Sequence, residues 1–217
     1  MSRKLFEHQL LPNIDLPRVE IDGKRYYQLP DGSLAKSVTT AIGDSMDKKH
    51  LYEWRARVGE EEANKIANQA AVRGTALHSI CEAYLMNELN YPKGTVPFNM
   101  FSFKQLRPYI DANINKVYGI EHRLYSTKLK AAGTADCICE WNNIPTIVDF
   151  KTSKKLKKEE WIQNYYLQAT TYAMMVEELF NIHVPQFAIM ITVDHEDPQI
   201  FVKEKAPYVD RVLEIFS

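Results

Sequence analysis

Two short apolar runs, Gly133–Trp141 and Thr146–Phe150, flank Asn142-Asn143-Ile144-Pro145, and each carries an aspartate, Asp136 or Asp149. They read as the strands of a hairpin. A charged side chain within a buried strand is costly unless it has partners or a function. This segment therefore limits what the chain can become more than any other. Side chains alternate along a strand, so Asp149 and Lys151 point one way while Val148 and Phe150 point the other. Asp136 shares a face with Ile138, and Cys137, Cys139 and Trp141 take the opposite one.

If Asn142-Asn143 is a two-residue turn, paired residue numbers sum to 285 and Asp136 lies opposite Asp149. A four-residue loop sets Asp136 opposite Lys151 instead. Either even loop keeps the three polar groups on one face, whereas an unbulged odd loop separates them. Opposed carboxylates with Cβ atoms ~4.5–5.5 Å apart resist ionising together. A divalent cation reconciles them, Lys151 adds positive charge, and hard oxygen donors with room for water suit Mg²⁺ or Mn²⁺. The plain rival is a surface acid pair beside a lysine, of little energetic weight. Asp…Asp-x-Lys is by itself a common chance pattern; its apolar setting is what singles it out.

The rest of the chain reads as one compact domain of 217 residues with 45% hydrophobic residues, enough for a single sizeable core. Residues 1–18 read as an irregular arm, and 19–29 as a small hairpin turning at Asp22-Gly23. Helices are expected from Ser37, over 48–58, over 61–86 with a break near Gly74, and in a stretch ending before Gly119 that Pro108 starts or kinks. Strands follow at 120–126, 133–141 and 146–150, then a helix over 159–180. Strands at 187–193 and 200–202 and a closing helix over 208–216 complete the order. This is an α/β (α+β) domain with a mixed sheet flanked by helices. Residues 1–36 are the arm and hairpin, 37–119 a helical part and 120–217 the sheet-bearing core.

A net charge of −1 gives no global positive field, which leaves a local basic groove open. Three cysteines, Cys81, Cys137 and Cys139, cannot supply four thiolates, so an iron–sulfur cluster is not expected, and they read as core residues of a reducing compartment. No apolar run is long enough for a membrane span, and the N-terminus lacks a secretory segment. The expected location is the cytoplasm, or a host's cytoplasm if the chain is phage-encoded.

Gly-Thr-Ala-Asp-Cys-Ile-Cys-Glu-Trp followed by Ile-Val-Asp-Phe-Lys-Thr-Ser resembles two motifs of PD-(D/E)XK nucleases. More narrowly, the chain resembles the RecB-like branch that includes the mitochondrial genome maintenance exonuclease and related phage exonucleases. Ser37-Val38-Thr39, Arg73-Gly-Thr-Ala-Leu-His78, Glu121-His-Arg-Leu-Tyr-Ser and Gln168-Ala-Thr-Thr-Tyr172 match in order, so the likeness runs from about Ser37 to Val193. It implies a restriction-endonuclease-like core with a helical N-terminal part, residues 37–217 forming the nuclease domain. It also implies that Asp136, Asp149, the Phe150 carbonyl and His78 bind metal, that Lys151 orients the attacking water, and that Gln168 and Tyr172 support the site. Without the resemblance, His78 and Tyr172 read as core residues and Gln168 as an ordinary helix residue. Glu121 reads equally as a site contact or a strand-end residue, and Glu82 and Asp194–Asp197 as solvated.

Lys151, Lys154, Lys155, Lys157 and Lys158 follow the hairpin closely. Lys154, Lys155 and Arg73 are candidate phosphate contacts, though an ion pair explains Arg73 as well. Tyr26, Tyr27, Trp54 and Trp161 are candidate stacking residues, with core packing the plain alternative for each. The resemblance implies a Mg²⁺- or Mn²⁺-dependent DNA exonuclease preferring single-stranded ends. Its rivals are a duplex-end exonuclease or flap endonuclease, and a non-catalytic nucleic-acid-binding protein on the same fold.

Overall fold

A computed structural model describes residues 3–217; Met1 and Ser2 of the expected arm lie outside the described residues. Among these residues the strands are β1 (Glu7–His8), β2 (Arg18–Ile21), β3 (Lys24–Gln28), β4 (Leu34–Ser37), β5 (Ile114–Ser126), β6 (Ala131–Trp141), β7 (Ile144–Ser153), β8 (Gln186–Val193) and β9 (Gln199–Glu204). The helices are α1 (Val38–Ser45), α2 (Lys49–Val58), α3 (Glu60–Leu85), α4 (Pro97–Asn113), α5 (Gln163–Phe180) and α6 (Val209–Phe216). All the strands join one mixed sheet. No described helix is long and apolar enough to cross a membrane.

The central hairpin turns through Asn142 and Asn143, both in the left-handed region (φ 52° and 65°). Two successive positive φ values match the twist of the flanking strands, and asparagine tolerates them better than most residues. Pairing runs from Trp141↔Ile144 to Cys137↔Val148, the register whose numbers sum to 285. Ile144 and Pro145 thus belong to β7 and not to a loop.

Beyond Val148 the sheet forks. One edge of β6 pairs with β5 over nearly its whole length. Its other edge is shared, with Cys137–Trp141 against β7 and Ala131 and Ala132 against Lys36 and Ser37 of β4. On that edge, no ladder pairing joins Gly133–Asp136 to either neighbour among the described residues. β7 meanwhile runs on to Ser153, paired in parallel with β8. The fork falls where Asp136 and Asp149 stand.

Helices cover both faces. On one, Ile138, Ile147, Ile189 and Ile191 pack against Ala169, Ala173 and Val176 of α5, with α1 and α6 beside it. On the other, Cys137, Cys139, Val148, Phe150 and Met190 pack against Leu77, Ile80, Cys81 and Tyr84 of α3 and Phe103, Leu106 and Ile110 of α4. The three cysteines are free and buried in this second core. A smaller core of Leu16, Tyr27, Leu29, Ala35 and Ala132 seats the β2–β3 hairpin, so Tyr27 is packed and not available for stacking.

Several expected boundaries move. α3 is unbroken at Gly74, because the turns after it are locked onto the sheet and outweigh a glycine cost of ~1 kcal/mol. Pro108 lies inside α4, between Leu106 and Ile110, both fully buried. That helix ends at Asn113, and Ile114–Gly119 are strand. β5 carries two register shifts between Ile114 and Gly119, and a β-carbon on Gly119 would lie 2.9 Å from the His122 ring. The short strands β1 and β4 have no alternation to announce them; β1 forms by parallel pairing with distant β5, and β4 pairs antiparallel with neighbouring β3 and in parallel with distant β6.

The turn conformation generates a test. Asn143→Ala is expected to cost about 1 kcal/mol, because alanine tolerates positive φ poorly, whereas Asn143→Gly is neutral or stabilising. Urea denaturation of both variants checks this, and equal losses would refute it.

Candidate active site

The fork lets side chains from several elements meet at one place. Asp136 and Asp149 are both buried. Where a ladder bond would otherwise form, the Phe150 N–H donates to Asp136 Oδ2 at 2.8 Å, so a carboxylate takes the place of a strand carbonyl. Asp149 forms an ion pair with Lys151 and accepts from Gln168 Nε2 at 3.3 Å. The Lys151 ammonium lies 5.1 Å from the centroid of the Tyr165 ring, a cation–π contact that holds it on the α5 side.

His78 enters from α3, on the opposite face. Its Nε2 lies 2.7 Å from the Phe150 carbonyl, and its Nδ1 is 3.5 Å from both Glu121 Oε1 and Asp136 Oδ1. Glu121 stands beside Asp136 because the flanking pairs are Ile120↔Cys137 and His122↔Ala135. Its φ of 45° is an uncommon conformation for a non-glycine strand residue. Strain of this kind persists only where surrounding structure holds it, often at functional sites.

The electrostatics follow from the crowding. Burial first, then the charge of Asp149, push Asp136 up to about 6 against a usual 3.8; Lys151 and His78 oppose the rise. Burial alone would lower His78, but Glu121, Asp136 and Asp149 outweigh it and raise the imidazole to about 9. Burial also works against the Lys151 ammonium, yet Asp149 and Asp136 keep its pKa above the ordinary value. Three carboxylates facing one lysine and one imidazole form a negative cluster that a cation would complete.

The donor set passes a test of fit. One ligand atom each from His78, Glu121 and Asp136 lies within 4.8 Å of the others, and the Phe150 carbonyl is 2.7 Å from His78. Adjacent ligands of a Mg²⁺ with ~2.1 Å bonds are ~3 Å apart, so the 3.5 Å separations of His78 Nδ1 from Glu121 and Asp136 suit a shared ion, while the carbonyl faces the other ring nitrogen, Nε2. The tightest triplet contains Glu121 in place of Asp149, whose oxygens are engaged by Lys151 and Gln168.

Tyr172 is buried, its ring lying against β6, where a β-carbon on Gly133 would come within 2.6 Å of its hydroxyl oxygen. Burial first, then Asp136 and Asp149, raise the pKa of that phenol. Lys154 and Lys155 are exposed after β7, while Arg73 is turned to Asp194 in a two-nitrogen ion pair, one arm at 3.0 Å. Asp194 is thus half-buried and paired, contrary to the expectation of a solvated loop, whereas His195, Glu196 and Asp197 are exposed. Glu82 is exposed, as are Trp161 and, in part, Trp54 and Tyr26. Tyr165 is the contact that the sequence reading missed. Its spacing of three from Gln168 and seven from Tyr172 puts it on their helix face and was the available signal.

No family model and no curated protein sequence matches the chain. Among solved structures, the chain is similar to a Eubacterium rectale protein described as a "Putative exonuclease". The match has 19% identity and a TM-score of 0.41, and covers 68% of this chain and 63% of the other, less than two thirds of its length. So loose a superposition has no bearing on activity.

The carboxylate crowding predicts a stability effect. Because the folded-state pKa of Asp136 lies above 3.8, stability falls as pH rises from about 4 to about 6, through the folded value. In EDTA, Asp136→Asn is expected to raise the melting temperature by a few degrees at pH 8, with the gain lost by about pH 3, where the aspartate is mostly protonated in both states. Thermal denaturation at the two pH values measures this, and a loss of stability at pH 8 would contradict it.

Proposed function

We propose that the protein is a metal-dependent nuclease that hydrolyses phosphodiester bonds in DNA, an exonuclease preferring single-stranded ends. One observation carries the reading: three carboxylates, an imidazole, a backbone carbonyl and a lysine ammonium converge from α3, β5, β6 and β7. The three carboxylates exceed the two cations, Lys151 and His78, by one charge, which a structural ion-pair network would not need. The preference for DNA and for single-stranded ends is taken from the resemblance to the RecB-like branch.

Asp136, Asp149, His78 and the Phe150 carbonyl would hold Mg²⁺ or Mn²⁺, with Glu121 as a further donor. What the ion supplies when bound is acidification of a water and polarisation of a phosphoryl oxygen. Lys151, anchored on Asp149, orients the attacking water and offsets charge in the transition state. Gln168 keeps the Asp149 carboxylate from turning away, and Tyr172 braces β6 from beneath. Lys154 and Lys155 would hold phosphates at the exit of β7. Arg73 is left out of this set because Asp194 occupies its guanidinium.

Asp149→Ala and Lys151→Ala are each expected to lower cleavage of labelled DNA by about a hundredfold or more, with the circular dichroism spectrum kept. Full activity in either would remove the assignment. Strand preference is tested separately by digesting single-stranded, blunt, flapped and circular DNA with Mg²⁺ or Mn²⁺. Single-stranded linear DNA is expected to be degraded fastest and circles to resist; cleavage of circles would make the enzyme an endonuclease.

A further inference from the structure

Beside the acidic cluster lies a groove of about 820 Å³, lined by Asn64, Asn68 and Val72 of α3, Phe98 of α4, and Lys154 after β7. We infer that it binds an unpaired stretch of the DNA strand, with Phe98 as the ring on which a base stacks; this rests on the nuclease reading above.

The groove and the cluster draw on the same two segments of the chain. Arg73, on its wall, lies five residues before His78 on α3, and Lys154 lies three after Lys151. From Glu61 to Arg73 the helix rises ~18 Å, room for several nucleotides at ~3.4 Å per stacked base. This half of α3 is largely exposed: between Glu60 and Val72 only Ala63 is buried, and Arg55 of α2 reaches it at Glu60 and at Asn64 Oδ1. Val72 is 68% exposed and Phe98 43%. Apolar surface flanked by amides and an ammonium matches what a single strand offers, bases on one side and phosphates on the other. Lys154 makes no ion pair among the described residues, which leaves its charge for a phosphate. Glu61 stands at the far end of the groove from the cluster and offers a phosphate nothing.

The ring is also held still. The Arg73 guanidinium carbon lies 4.8 Å from the Phe98 centroid, and Asp194 grips that guanidinium through two nitrogens. Gln105 of α4 donates to the Glu196 carbonyl, tying the helix that bears Phe98 to the loop that bears Asp194. A ring fixed in this way gives up little freedom when a base stacks on it. Bases within a duplex are already stacked on both faces, so the platform selects unpaired ones.

Binding can be read in EDTA, without cleavage, from the fluorescence anisotropy of a short labelled single strand. Phe98→Ala is expected to weaken it about tenfold, while Phe98→Tyr, which keeps a ring, retains it. In a strand with 2-aminopurine scanned along it, fluorescence should be quenched at one position by the wild type and the tyrosine variant but not by the alanine variant. Wild-type affinity in Phe98→Ala, or quenching that survives the loss of the ring, overturns the inference. The two readings fail separately. Ring-dependent binding by a wild type that cuts no DNA would sink the nuclease and leave the groove, whereas active cleavage with no effect of Phe98→Ala would sink only the groove.

Discussion

Asp136 and Asp149 are brought side by side in a buried place, and the surrounding structure answers their repulsion. The Phe150 N–H, the Lys151 ammonium, the His78 imidazole and the Gln168 amide each take part of the charge. They do not take all of it, as the raised pKa of Asp136 records. In the free protein that remainder works against folding. On the proposed reading it is what draws a divalent cation into the fork, so one imbalance weakens the metal-free fold and equips the site.

The fork is the geometric counterpart of that electrostatic problem. In an unbroken sheet, a side chain can be reached only from the face on which it lies. Here β6 exchanges β7 for β4, and the ladder between Asp136 and Asp149 is missing. Through this gap His78, on the α3 side, meets the Phe150 carbonyl, while Gln168 and Lys151 meet Asp149 on the α5 side. β5 adds Glu121, brought level with Asp136 after two bulges have shifted its register. The gap explains why the donors come from several elements and why the strained backbone at Glu121 sits next to it.

Much of the central core was legible in advance. The register of the β6–β7 hairpin rests on local facts: two asparagines suited to positive φ and an alternation that a slip of one residue would ruin. The long helices announced themselves through periodicity. The misread segments lacked such signals. Ile114–Gly119 follows a helix with no breaker between them, β1 pairs only with the remote strand β5, and β4 is joined to the main sheet through remote β6. Gly74 and Pro108 carry local signals for a break, which docking onto the sheet overrides.

The amino-acid sequence by itself determined which face of the hairpin carries Asp136, Asp149 and Lys151, because strand alternation and turn length are short-range properties. It also set Gln168 and Tyr172 on one face of α5 through helical spacing. Only the tertiary structure decided that His78 and Glu121 join them, that Lys151 rests on Tyr165, and that Arg73 turns to Asp194. Those contacts join residues of different elements, and no local periodicity records where the sheet will open.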